Sequence, residues 1–92
     1  MEAKNFGQEL KMTQTGFLTS KSGKTFIRIY FSRRRSVNED DTAEGIIPGY
    51  KILKSDGFEE EEIAALEFYI KHNREEIVKR AKVLSNPMNW FA

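Results

Sequence analysis

Residues 10–34 read LKMTQTGFLTSKSGKTFIRIYFSRR, in which β-branched and aromatic residues alternate with polar ones on both sides of a Ser-Gly pair. A period of two on either side of a turn dipeptide is the pattern of a β-hairpin. Centring the turn on Ser22 and Gly23 sets Leu18 opposite Ile27, Gly16 opposite Ile29 and Gln14 opposite Phe31. That face is apolar, and Leu10 and Met12 extend it. The other face carries Thr13, Thr15, Phe17 and Thr19 against Phe26, Arg28, Tyr30 and Ser32. A one-residue slip that put Leu18 against Arg28 would mix the two faces, so patterning and turn chemistry select the same register. Gly16 in mid-strand is the place where a bulge would shift the pairing.

After the hairpin comes RRSVNEDDTAEG at residues 34–45, polar and without periodicity, which reads as a mobile acidic loop. Its acids do not match a calcium loop. Counted from Asn38, the sixth and twelfth positions hold Ala43 and Gly49, where glycine and glutamate are required. The turn sequence SKSGKT resembles the end of a phosphate-binding loop but has Leu18 in place of the leading glycine and a strand in place of the helix. Tyr50 to Leu53 suit a short third strand, with Pro48 kept out of a central ladder position.

The last third has helical periodicity. Ile63, Leu66, Ile70, Ile77, Ala81 and Leu84 recur at steps of three, four or seven, and Phe68, Tyr69 and Val78 widen the stripe. Asp56, with Glu59 three residues on, has the spacing of a capping box. The glutamates at the start and Lys79, Arg80 and Lys82 near the end complement the helix dipole. An unbroken helix from Glu59 to Ser85 would be roughly 40 Å long. A strand of five to ten residues spans only roughly 17 to 34 Å. Such a helix must therefore bend near His72 and Asn73 or present its free end to another chain.

The expected fold is a single α+β domain over residues 1–92: an antiparallel hairpin or three-stranded meander packed against one long C-terminal helix, straight or kinked. At this length one core suffices. There is no cysteine, which excludes disulfides and thiolate metal sites. No apolar run approaches the roughly 20 residues that span a bilayer, and the N-terminal residues lack the apolar segment of a secretion signal, so the expected location is cytoplasmic. The net charge is only +1, yet it is segregated: residues 1–35 carry +6, residues 36–67 carry −8 and residues 68–92 carry +3. Opposite blocks of this kind draw together within a fold or an assembly.

Chemistry is sparse. His72 is the one histidine, leaving no second imidazole for a nucleophilic triad, and a glutamate run at a solvated helix start lacks the burial that tunes a catalytic acid. No enzyme activity, cofactor or metal is expected. The candidate interaction surface is the second hairpin face, with Phe17, Phe26, Arg28, Tyr30 and Arg34. The expected function is a non-enzymatic protein-interaction or self-associating module, with a homodimer or another protein as partner. The alternative is a single-stranded nucleic-acid binder that stacks bases on those rings and holds phosphates with the arginines. In the plainer reading these aromatics are simply covered, by Tyr50, Ile52, Trp90 or Phe91 or by a second subunit.

Overall fold

The turn at the head of the hairpin decides its register. In the computed structural model, which describes residues 10–85, Gly23 has φ +88° and its N–H donates to the Ser20 carbonyl at 2.9 Å, while Ser20 N–H donates to Lys24 at 2.8 Å. This is a three-residue loop closed by a glycine in the left-handed region, not a two-residue loop centred on Ser22 and Gly23. The pairing moves accordingly, with Leu18 opposite Phe26 rather than Ile27.

Further along, Gln14 lies opposite Ile29 and Met12 opposite Phe31. Three residues thus lie between Gln14 and Leu18 where two lie between Phe26 and Ile29, which marks a bulge around Gly16. Thr15 stabilises it, since its hydroxyl accepts the Arg28 N–H at 3.1 Å and its own N–H donates to the Arg28 carbonyl at 3.0 Å. The first hairpin arm is therefore two strands, β1 (Lys11–Gln14) and β2 (Leu18–Thr19), both paired antiparallel to β3 (Thr25–Arg34). The bulge restores the expected faces for Met12 and Gln14 but leaves Leu18 beside Phe26, on the face away from the helices.

The segment read as a mobile loop at residues 34–45 is half strand. A short turn closes where Arg35 and Ser36 N–H groups both donate to the Glu39 carbonyl, and β4 (Asp40–Ile47) then pairs with β3 along its whole length, from Arg34 opposite Asp40 to Ile27 opposite Ile47. The third expected strand is present as β5 (Lys51–Asp56), which begins one residue later than expected and runs three further; it follows a turn through Pro48 and Gly49. β5 pairs with β4 through a register shift at Glu44 and Gly45. The result is a five-stranded antiparallel sheet in the order β1-β3-β4-β5, with β2 beside β3. This is larger than the hairpin or meander expected.

One long helix is also not what forms. α1 (Glu60–His72) and α2 (Arg74–Ser85) meet at Asn73, whose φ and ψ are −105° and 19°. Asn73 N–H and Nδ2 both donate to the Tyr69 carbonyl, at 3.0 and 2.9 Å, and its own carbonyl accepts the Ile77 N–H at 3.0 Å. One residue closes the first helix and opens the second, at the position where helix propensity is poor. The break removes the overhang: Ile77 and Ala81 of α2 are buried against the same sheet, and β1 is tied to α2 by Gln14 Nε2 donating to the Ile77 carbonyl at 2.9 Å. At the start of α1, Glu59 rather than Asp56 is the N-cap, because Asp56 still belongs to β5; the Glu59 N–H donates to Glu62 Oε1 at 2.9 Å.

The core lies between the helices and one sheet face. Ile27, Ile29 and Phe31 from β3, Ala43 and Ile47 from β4, Leu66 and Ile70 from α1, and Ile77 and Ala81 from α2 are its buried apolar members. The Tyr69 and Phe31 rings pack edge to face, their centres 6.1 Å apart. Gly45 sets how closely α1 approaches: a Cβ there would lie 2.6 Å from Ile70 Cδ1. Asn86 and Pro87, expected to end the helix, and Met88, Trp90 and Phe91 lie outside the described residues.

Candidate interaction face

Because both helices pack on one side, alternation along β3 sends Phe26, Arg28, Tyr30, Ser32 and Arg34 to the other. Across from them β4 contributes Ile46 opposite Arg28, Glu44 opposite Tyr30, Thr42 opposite Ser32 and Asp40 opposite Arg34. β5 adds Lys54 opposite Glu44 and Asp56 opposite Thr42, and Leu18 stands opposite Phe26. No helix among the described residues covers this face. Tyr30 is 41% exposed and Leu18 37%. A shallow depression of about 360 Å³ runs between Tyr30, Thr42, Glu44, Lys54 and Asp56.

The charges on the face are arranged in rows. Arg28 and Arg34 lie on β3, and Asp40 and Glu44 lie on β4. Arg28 pairs with Glu44, and its guanidinium sits 5.5 Å from the centre of the Phe26 ring. Arg34 Nε reaches Asp40 Oδ1 at 3.1 Å with both side chains more than half exposed. The structure thus brings together Phe26, Arg28, Tyr30 and Arg34 from the expected surface. It does not bring Phe17 into that ladder. Phe17 lies in the bulge, and its N–H donates to Ser85 Oγ at the end of α2, 2.7 Å away. Leu18 takes its place beside Phe26.

Leu18, Asp40, Glu44 and Ile46 escaped the sequence reading. Leu18 had been expected on the opposite face, and the signal of the other three was present in DDTAEGII, where Asp40, Thr42, Glu44 and Ile46 alternate with Asp41, Ala43, Gly45 and Ile47, all four of which are buried. Three of the four inward residues are small or charged, so the alternation does not register as hydrophobic periodicity.

Arg33 and Arg35 take the helix side of the sheet, as alternation from Arg34 requires. Arg33 donates through Nε and Nη2 to Asp41 Oδ2 at 3.0 and 2.7 Å and through Nη1 to Glu62 Oε2 at 2.7 Å. Its guanidinium also lies 4.5 Å from the centre of the Phe58 ring. Arg35 Nε stands 3.2 Å from Asp41 Oδ1, and its Nη2 3.4 Å from Glu39 Oε1. All three arginines of the triplet therefore meet carboxylates of the same chain, which accounts for the run without a phosphate ligand.

The hydrogen bond from Arg33, followed by the one from the Glu59 N–H, holds the Glu62 carboxyl below the usual glutamate range, and burial partly opposes it. A carboxyl depressed on folding contributes stability that is complete above its unfolded pKa and lost as pH falls through the lower folded pKa. Glu62→Gln is expected to be less stable at pH 7 by about 0.5–1 kcal/mol, a small figure because the pair is partly solvated. The deficit should shrink as pH falls below the usual glutamate range and the wild-type carboxyl takes up a proton. Urea titrations between pH 3 and 7 measure this; a constant offset across the range would contradict it.

His72 is exposed at the end of α1, its ring stacked on Phe68 at 5.6 Å. It lies about 15 Å along the helix from Glu62, and so far from the carboxylates that gather around Arg33. Among the described residues no group of three or more His, Cys, Asp or Glu is placed to hold a metal ion, and no helix is long and apolar enough to cross a membrane. No protein-family model matches the chain, and neither curated proteins nor solved structures provide a match.

Proposed function

We propose that this chain is a non-catalytic interaction module that docks a protein against the open face of its sheet. The observation that carries this reading is the composition of that face. Phe26, Tyr30, Leu18 and Ile46 supply apolar and aromatic surface. The charges between them are matched in sign, Arg28 with Glu44 and Arg34 with Asp40. Aromatic anchors beside paired charges suit a protein interface, where unpaired charge is costly to desolvate.

The Arg28 guanidinium beside Phe26 and the exposed Tyr30 ring also favour a second reading, the stacking of unpaired bases. It is the weaker one, because Asp40 and Glu44 would repel the phosphates that the two arginines would attract. A photo-cross-linking residue in place of Tyr30 separates the readings. Irradiation in an extract of the source cells is expected to give polypeptide adducts at position 30 and few when the probe replaces Lys71 in the helix layer. Equal yields at the two positions, or oligonucleotide adducts at position 30 in their place, would overturn the proposal.

A further inference from the structure

We infer that the partner on this face is a second copy of the chain, related by a two-fold axis running along the strands between β3 and β4. The inference rests on the interaction reading and adds the identity and geometry of the partner. When two sheets stack face to face about a two-fold axis, that axis lies in the plane between them. Its direction and its lateral position within that plane are set by the charges.

An axis along the strands carries β3 of each copy over β4 of the other at an unchanged height. The observed register then fixes every apposition. Arg34 comes over the partner's Asp40, and Tyr30 over the partner's Glu44, where its hydroxyl can donate to the carboxylate. Arg28 comes over the partner's Ile46, one step from that same carboxylate. An axis across the strands would instead lay β3 on β3 and set the arginine rows against each other. The rows are therefore complementary to themselves in one arrangement and repulsive in the other, which is how charge specifies register and partner. The pairs Arg34–Asp40 and Arg28–Glu44 are already formed in the single chain. Association extends each into an alternating cluster with the partner's pair.

The size of the face fixes the expected strength. Four strand positions about 4.8 Å apart, each with about eight residues at roughly 3.3 Å, give a face of about 500 Å². Two such faces bury on the order of 1,000 Å², at the low end of specific interfaces. A reversible dimer is expected, not a permanent one.

Sedimentation equilibrium of the full chain, at loadings from micromolar to millimolar, tests the inference with two charge reversals at exposed positions. The wild-type protein is expected to pass from monomer to dimer over that range. Arg34→Glu and Asp40→Arg should each weaken association by about tenfold, because each sets like charges together at both symmetric contacts. An equimolar mixture of the two variants should recover near wild-type association. In that heterodimer both crossed contacts are Glu against Arg or Arg against Asp, and no effect confined to one chain can be relieved by adding the other. A monomeric mass at millimolar loading overturns the inference, and so does a mixture no better than its components. Either failure accompanied by position-30 adducts to a different protein removes the second copy alone. Failure with no position-30 adducts removes the interaction reading as well.

Discussion

Ile70→Ala is expected to lower the stability of the domain by about 3–4 kcal/mol, within the range of Ile→Ala changes in well-packed cores. Ile70 is 0% exposed and sits where α1 presses on the middle of the sheet, over Gly45. Its Cδ1 occupies the space a Cβ at position 45 would fill, so the backbone of β4 has no side chain with which to refill the hole. Ile52 Cδ1, 3.2 Å from the same point, belongs to the edge strand β5 and can relax only partly. Against a total of about 5–10 kcal/mol for a chain of this size, the change removes a large fraction. A urea unfolding curve should move to a lower midpoint with an unchanged slope. Phe68→Ala, two residues away on the solvent side of the same helix, should lie within about 0.5 kcal/mol of wild type. A shift at Ile70 no larger than at Phe68 would mean that α1 does not pack as described.

Asp41→Ala is expected to cost about 2–4 kcal/mol. Asp41 is the one buried charged residue among those described, at 3% exposure, and its Oδ2 accepts two hydrogen bonds from Arg33. Its removal leaves a guanidinium, itself only 22% exposed, with Glu62 as its remaining carboxylate. Deleting one member of a buried pair leaves the other's desolvation uncompensated, which costs more than the pair itself is worth. Arg35→Ala, by contrast, should cost less than about 1 kcal/mol, since Arg35 is 43% exposed and Asp41 keeps its bonds to Arg33. Thermal or urea unfolding of the two variants measures the difference. Equal losses would show that Asp41 is stabilised by the summed charge around it rather than by Arg33.

Much of the sheet's inner face was legible. Ile27, Ile29 and Phe31 alternate so regularly that their common side followed from period two alone, and Leu66, Ile70, Ile77 and Ala81 followed from the helical repeat in the same way. The weak point at His72 and Asn73 was also visible as poor propensity. Strand β4 was not legible, because its inward residues are Asp41, Ala43, Gly45 and Ile47. A strand buried under a close helix needs small residues, and an inward aspartate needs an arginine on the neighbouring strand. Both are conditions on partners distant in the chain. The turn register failed for a local reason: SKSG suits a two-residue or a three-residue loop, each with Gly23 at positive φ, and only the pairing of Ser20 with Lys24 distinguishes them.

For the candidate face the division runs along the same line. Local alternation determined that Phe26, Arg28, Tyr30 and Arg34 share one side and that Arg33 and Arg35 leave it, because side-chain direction in a strand depends only on parity. Parity does not say what lies beside a strand. The tertiary structure decided that Asp40 and Glu44 stand next to the arginines, that Leu18 replaces Phe17, and that the helix stripe folds back at Asn73 instead of reaching beyond the sheet. Each of these depends on a turn length or a cross-strand pairing. A shift of one residue there reverses a whole face, while the sequence on either side is unchanged.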